Sequence, residues 1–275
     1  MSSRDRVRAA VRTTYLREER ARERLGLSAA ATALLGRAMA AVVAASVVLA
    51  AVGEDVLRSD GLEVRDPSNL QLFVDHRTGW LITMAKVASQ VGSVALLAAL
   101  AVAVGVLLWI RGARLAVAAA PLLSLLSAGV VVSVLKVAVG RDRPPLALRL
   151  VTETEKSFPS GHATDSAALF VALGIAVAAV VFRRPLVRAV AVLAGFLVAG
   201  LIGLSRLVLG VHWPTDVLFG WALGTAVAVT VTTTMLLLTR LVPSTPAGAG
   251  RVVLLRAKVL RVMSTHRGGH EVAVA

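Results

Sequence analysis

The sequence predicts an all-α membrane protein, a bundle of six transmembrane helices. Of its 275 residues, 57% are hydrophobic and the mean hydropathy is +0.78, which is more apolar than soluble proteins of this size usually are. The apolar residues also form long runs without Asp, Glu, Lys or Arg. Such runs can cross a hydrocarbon core of about 30 Å. The predicted spans are 38–53, 87–110, 115–135, 166–182, 189–205 and 217–239.

The first of these spans is short, and the apolar residues 29–35 ahead of it lengthen it because Arg37 can snorkel to the interface. Residues 54–80, between the first two spans, hold six acidic residues and three arginines. Within them, Asp66-Pro67-Ser68-Asn69 is a turn signal, so a soluble loop is predicted there.

Three regions are predicted along the chain. Residues 1–37 form a basic, Arg-rich cytoplasmic arm without the early apolar core of a secretory signal. Residues 38–240 form the six-helix transmembrane domain, and residues 241–275 form a basic, mobile cytoplasmic tail that starts with a Pro- and Gly-rich linker.

Composition excludes several functions. The chain has no cysteine, which removes disulfides, thiolate metal sites and cysteine nucleophiles. Its net charge of +14 could suggest nucleic acid, but aromatic residues are only 4% of the chain and the basic residues lie between apolar spans. Anionic lipid head groups are therefore the expected partner. There is no HExxH, P-loop or acidic two-metal pattern, so we expect neither metal nor cofactor.

The distribution of basic residues predicts the orientation in the membrane. The arm, the tail and the turns at 111–114 and 183–188 are rich in arginine and fall on one side of the predicted spans. The positive-inside rule makes that side cytoplasmic. Both termini would then be cytoplasmic in a multi-pass plasma-membrane protein, and residues 54–80, 140–161 and 205–213 would face outward.

Ionisable residues at the rim of a span are costly and usually functional. In S-R-L-V-L-G-V-H-W-P-T-D (205–216), His212 can act as a nucleophile, and Asp216 is placed to fix its tautomer. Pro214 suits the first turn of the next helix, so Asp216 should reach back to His212 in the entering loop. Arg206 adds a fork of donors that fits a phosphate.

Two further segments bring polar residues to the same rim. Lys136 and Arg143 lie seven residues apart, and Gly140 and Pro144 should end the helix between them. The two cations should converge outside the membrane, although Lys136 could instead snorkel and Arg143 could pair with Asp142 or a lipid.

The second segment is Phe158-Pro159-Ser160-Gly161-His162, which should open the fourth span. The backbone N–H groups of Gly161 and its neighbours favour an anion at a helix N-terminus, and the Ser160 hydroxyl can donate to it or act as an N-cap. His162, one residue inside the helix, is close enough to deliver a proton. Asp165 could orient His162 or simply suit the helix N-terminus.

The three patterns K-x6-R-P, P-S-G-H and S-R-x5-H-x3-D, in this order, resemble those of the type 2 phosphatidic acid phosphatase superfamily, which also includes prenyl-diphosphate phosphatases and vanadium haloperoxidases. The resemblance covers residues 136–216. It implies a phosphatase/haloperoxidase-like helical core and a metal-independent phosphatase acting on phosphatidic acid-type lipids or polyprenyl diphosphates, with no cofactor.

The resemblance also implies a role for each motif residue. His212 forms a phosphohistidine, Asp216 orients it, and His162 protonates the leaving group. The phosphoryl oxygens are bound by Lys136, Arg143, Ser160, Gly161 and Arg206. Two alternatives stay open, a vanadate-dependent haloperoxidase and a non-catalytic lipid-binding or transport protein. The lipid selected and the oligomeric state are open as well.

Overall fold

The computed structural model describes residues 29–241, and every regular element within that range is helical. The predicted all-α bundle is thus confirmed. The α-helices are α1 (Ala29–Arg58), α2 (Asp66–Asp75), α3 (Gly79–Val91), α4 (Val94–Ile110), α5 (Leu115–Val139), α6 (Gly161–Val180), α7 (Pro185–Val208) and α8 (Pro214–Leu241). Short 3-10 turns occupy Glu63–Arg65 and Leu146–Leu148.

Within the described part of the chain, α1, α5, α6, α7 and α8 are each long and apolar enough to cross a membrane. Helices α3 and α4 meet this criterion only together, and they are bent by 58° where they meet. The number of spans is therefore five, or up to six if the bent pair is counted as one broken span.

The second span is not the continuous helix over 87–110 that the sequence predicts. Helix α3 begins earlier, at Gly79, and ends at Val91, while α4 starts after Ser93 in an extended conformation. Close packing accompanies the break. A Cβ on Gly92 would lie 2.5 Å from Ile202 Cγ2 and 3.1 Å from His162 Cδ2, so only glycine fits there without displacement of its neighbours.

The prediction of a soluble loop over 54–80 is wrong. Helix α1 continues to Arg58, and Asp66-Pro67 starts α2 where a turn was predicted, because proline fits the first turn of a helix. Leu70 of α2 is fully buried and packs with Ala163, Leu207 and Val217. The segment therefore forms a packed cover over one end of the bundle.

Helix α6 is the most buried span, and α5, α7 and α8 pack around it. The approach of α8 is close, since a Cβ on Gly224 would overlap the Thr164 carbonyl oxygen. The ends of α5 and α7 lie at the same end of the bundle as the starts of α6 and α8, to which they are joined by residues 140–160 and 209–213. Four helix ends that carry predicted site residues thus meet at one end of the bundle.

The chain reverses at these ends through glycine and proline. Gly140 ends α5 with φ +64° and Gly210 follows α7 with φ +70°, both in the left-handed region that glycine adopts freely. Pro214 begins α8 and Gly161 begins α6, as the sequence predicts. The basic turns at 111–114 and 183–184 lie at the opposite end.

The predicted division into arm, domain and tail stays a prediction, because residues 1–28 and 242–275 lie outside the described part. The predicted boundary after residue 37 falls inside α1.

Candidate active site

A cavity of about 730 Å³ lies at the end of the bundle where the predicted site residues meet. Its polar rim includes His162, His212, Lys136, Arg143 and Glu153. Its inner wall is apolar and comes from α4 and α5, with Val94, Ala98, Leu125, Leu126, Gly129 and Val130. The cavity therefore joins a charged end to an apolar one.

His212 is almost fully buried in the loop before α8, with 2% of its surface exposed. Its Nδ1 lies 3.3 Å from Asp216 Oδ2, and its Nε2 lies 3.1 Å from Nη1 of Arg143. An arginine can only donate, so Nε2 is the acceptor and Nδ1 carries the proton toward Asp216. The predicted geometry of His212 and Asp216 is present.

Burial lowers the pKa of His212 to about 4, and the nearby charges of Arg143 and Arg206 act in the same direction. The hydrogen bond and charge of Asp216 oppose this shift without cancelling it. His212 is therefore a neutral imidazole at neutral pH, and its unprotonated Nε2 faces Arg143.

Asp216 is fully buried at the start of α8. Its Oδ2 accepts the Trp213 backbone N–H at 2.9 Å and the Ser157 hydroxyl at 2.5 Å, and its Oδ1 accepts Arg141 Nη1 at 2.7 Å. These bonds hold the carboxylate ionised and fixed in orientation.

Of the three predicted cations, Lys136 and Arg143 line the cavity, whereas Arg206 lies behind it and contacts the lining residue Glu153. Arg143 donates to the carbonyl oxygens of Val211 and Glu155, each at 2.7 Å. Lys136 donates to the Lys156 carbonyl at 2.5 Å. Arg206, with 1% of its surface exposed, donates to Ser89 and to the Glu153 carboxylate.

Arg143 does not take the alternative partner considered from the sequence. Asp142 pairs with Lys156 at 2.7 Å instead, while the second oxygen of Glu153 lies 3.6 Å from Arg143 Nη2. The Glu153 carboxylate therefore contacts two buried guanidinium groups, those of Arg206 and Arg143. Guanidinium groups bind the oxyanion of a phosphate in the same way as they bind a carboxylate.

Three buried donors lack a hydrogen-bond partner among the described residues, and two of them, Ser160 Oγ and Arg206 Nε, belong to predicted site residues; the third is Thr232 Oγ1. Ser160 stands at the N-cap of α6, yet its hydroxyl makes no capping bond. Unpaired buried donors are costly, and an oxyanion at the N-terminus of α6, where Gly161 presents its backbone, would give the Ser160 hydroxyl a partner.

His162 occupies the second position of α6 and lines the cavity, as predicted. Asp165 also lines the cavity, but its Oδ1 has no hydrogen-bond partner among the described residues. This atom does not hold His162. Asp165 also lies beyond the first turn of α6, where the helix dipole acts most strongly.

Sequence reasoning missed several residues of the site. Glu153 and Ser157 lie in the connection between α5 and α6, and Arg141 stands between the two predicted cations. Asp66 comes from α2, 75 residues before Arg141, to which it is bonded. Of these residues, only Arg141 had a signal in the local sequence, namely its position two residues before Arg143.

Within residues 29–241, no group of three His, Cys, Asp or Glu side chains is placed to hold a metal ion.

Comparison with known proteins finds a family and a fold that this chain resembles. The model of the PAP2 superfamily matches residues 117–240. Phosphatidylglycerophosphatase B of Bacillus subtilis is 41% identical over 92 residues, 33% of this chain and 44% of the relative. Decaprenylphosphoryl-5-phosphoribose phosphatase of Mycobacterium tuberculosis is 34% identical over 90 residues, again 33% and 44%. The chain thus spans less than half the length of the curated relatives it matches.

The fold comparison extends over more of the chain. The crystal structure of a transmembrane PAP2-type phosphatidylglycerolphosphate phosphatase from Bacillus subtilis has a TM-score of 0.62 to this structure at 25% identity. The likeness covers 74% of this chain and 98% of that chain. The resemblance inferred from the three motifs is confirmed.

Proposed function

We propose that the chain, of which residues 117–240 match the model of the PAP2 superfamily, is a membrane enzyme that hydrolyses a phosphate monoester or diphosphate of a lipid. The observation that carries the proposal is the placement of His212. Its Nδ1 faces Asp216 and its Nε2 faces Arg143, at a cavity that combines a cationic rim with an apolar wall.

In the proposed reaction, Nε2 of His212 attacks phosphorus and the P–O bond to the leaving group breaks. Asp216 accepts the hydrogen bond from Nδ1 and stabilises the imidazolium that forms. His162 protonates the departing oxygen. It then takes a proton from the water that cleaves the P–N bond, which regenerates His212 and releases phosphate.

Charge on the phosphoryl group is neutralised by protein cations in this scheme. Phosphoryl transfer needs an in-line nucleophile and stabilisation of the equatorial oxygens. Lys136, Arg143 and Arg206 supply positive charge, while Ser160 and the Gly161 backbone supply donors at the N-terminus of α6.

The apolar wall favours a substrate with a hydrocarbon tail. The cavity continues from the cations to side chains of α4 and α5, so an anchored lipid could place its phosphate at the rim and its tail against these helices. The Bacillus relative is named for phosphatidylglycerophosphate and the mycobacterial relative for a decaprenyl lipid. We propose the chemistry they share, a phosphate on an acyl or prenyl lipid.

Phosphate release by the purified full chain in detergent tests the proposal. Phosphatidylglycerophosphate, phosphatidate and a long-chain prenyl diphosphate should be compared with a water-soluble phosphate ester, each with and without chelator. A lipid phosphate should have the highest kcat/KM, unchanged by the chelator. No release from any lipid would contradict the proposal. Halide oxidation with vanadate and peroxide would instead favour the haloperoxidase alternative.

A further inference from the structure

Arg141 lies in the same basic segment as Lys136 and Arg143, yet it does not line the cavity. Gly140, in the left-handed conformation, turns the chain at the end of α5. The Arg141 side chain then reaches the start of α8 and α2, with 10% of its surface exposed. Its contacts are therefore with protein groups at the starts of these two helices.

The guanidinium of Arg141 joins the start of α8 to α2 and to the 3-10 turn before α2 through four oxygens. Its Nη1 donates to Asp216 Oδ1 at 2.7 Å and to Thr215 Oγ1 at 2.8 Å. Its Nη2 donates to Asp66 Oδ2 at 2.7 Å and to Glu63 Oε1 at 3.0 Å. Both terminal nitrogens are thus engaged by the protein, and little donor capacity is left for a phosphate.

Three further contacts fix this network. The Trp213 ring lies with its centroid 5.7 Å from Arg141 Cζ, within cation–π range. Asp66 also accepts the backbone N–H of Thr215 at 3.0 Å and the Thr215 hydroxyl. Helix α2 is therefore tied to the first turn of α8, the turn that carries Asp216.

We propose that Arg141 is a positioning residue that fixes the Asp216 carboxylate against His212, and that Asp66 of α2 anchors Arg141. A carboxylate held only through Oδ2 could rotate about its Cβ–Cγ bond. With Arg141 on Oδ1, the Oδ2 atom stays directed at Nδ1 of His212, so Nε2 keeps its lone pair toward the phosphoryl site. This inference rests on the proposed phosphatase chemistry.

The charges agree with this geometry. Burial lowers the pKa of Arg141, but Asp216 and Asp66 outweigh burial and raise it overall, so the group stays cationic. Burial raises the pKa of Asp66, while bonds from Thr215 and Arg141 oppose the rise. Loss of Arg141 would leave two buried carboxylates without their shared cation, and the free negative charge of Asp216 would favour protonation of His212.

Kinetics of Arg141→Gln and Arg141→Lys test the proposal against direct phosphate binding. We expect kcat to fall by about 100-fold, while KM and the Kd of vanadate, a phosphate analogue, change by less than about two-fold. The acid limb of kcat/KM should move up by about one pH unit. In an Asp216→Asn background, Arg141→Gln should lower kcat by no more than about two-fold, because the two side chains act together.

Controls separate positioning from misfolding. Arg58→Gln removes an exposed arginine whose ion pair among the described residues is with Glu54, one helical turn away at 2.9 Å, and should leave kcat unchanged. Thermal unfolding reports whether each variant is folded. If Arg141→Gln does not fold, Arg141→Lys and Asp66→Asn test the positioning role in its place. Both should lower kcat without changing the Kd of vanadate.

The inference is overturned if Arg141→Gln raises both KM and the Kd of vanadate while kcat stays unchanged, since Arg141 would then be a phosphate ligand. Full activity of Arg141→Gln, or additive effects with Asp216→Asn, would also overturn it. The NMR titration of His212 needs no turnover. If the pKa of His212 rises in Arg141→Gln but the chain hydrolyses no lipid phosphate, the proposed function is refuted and this inference is not. If the pKa of His212 is the same in Arg141→Gln as in the wild type, this inference is refuted.

Discussion

The neutral state of His212 sets the pH range of the proposed reaction. An exposed histidine has a pKa of about 6.5, whereas burial lowers that of His212 to about 4. The nucleophile must be neutral, so activity should be lost as pH falls through the folded-state pKa. We expect the acid limb of kcat/KM near pH 4, in a pH profile measured with a lipid phosphate in detergent.

The exposed His76 at the end of α2 offers a matched control. Its Nδ1 contacts the Leu72 carbonyl at 2.8 Å, away from the cavity, so His76→Gln should leave the acid limb in place. An acid limb near pH 6.5 in the wild-type protein would mean that His212 is solvated or is not the group that must be neutral.

Glu153 is the second residue with a direct consequence for binding. Its carboxylate contacts Arg206 and Arg143, and these two arginines lower its pKa although burial raises it. A negative charge there competes with phosphate for the same cations. Glu153→Gln should therefore lower the Kd of vanadate by about 10-fold, measured by inhibition.

The exposed Glu54, which pairs with Arg58 at 2.9 Å, gives the control for this change. Glu54→Gln should leave the Kd of vanadate unchanged. Weaker vanadate binding by Glu153→Gln would show that Glu153 organises the arginines more than it competes with the anion.

Among the elements, the break between α3 and α4 acts on the site through Gly92. An added Cβ would press on Ile202, which is stiff about χ1 in a helix, and would touch His162. Gly92→Ala should cost about 1–3 kcal/mol of stability and lower kcat by about 10-fold. Thermal unfolding and kinetics of the purified variant measure both.

Gly79, the first residue of α3, provides the matched control. A Cβ added there would meet no neighbouring side chain or backbone atom within 4 Å, so Gly79→Ala should change neither quantity. If Gly92→Ala matches wild type in both, the packing of the break against α7 and His162 is looser than the structure indicates.

Local chemistry explains which elements the sequence could predict. Gly140, Gly161 and Pro214 mark helix ends by their own conformational preferences, so the ends that carry Lys136 and Asp216 were predictable.

The break at Gly92, in contrast, could not be predicted, because it depends on packing against Ile202, far along the chain. Arg141 likewise meets Asp66 across 75 residues, and no pattern of neighbours encodes such a pair. Asp66-Pro67 suits a turn or a helix start, and packing of Leu70 decides between them.

For the whole molecule, the end that carries the site lies opposite the basic turns at 111–114 and 183–184. We propose that the site faces outward from the plasma membrane, with the basic end cytoplasmic. The chain has no native cysteine, so single cysteines can report this directly. In intact cells, a membrane-impermeant maleimide should label Leu146→Cys, and it should label Arg184→Cys only after permeabilisation. The reverse pattern would move the site to the cytoplasmic side.

In the proposed reaction, His212 forms a covalent bond to phosphorus. Rapid quenching of the full chain with a lipid labelled in its terminal phosphate tests for this bond. We predict an acid-labile, base-stable phosphoenzyme whose label maps to His212, and none in a folded His212→Ala variant, which should also lose turnover. The covalent mechanism is wrong if the wild type turns over in this assay and His212→Ala is equally active. It is also wrong if the label maps to another residue.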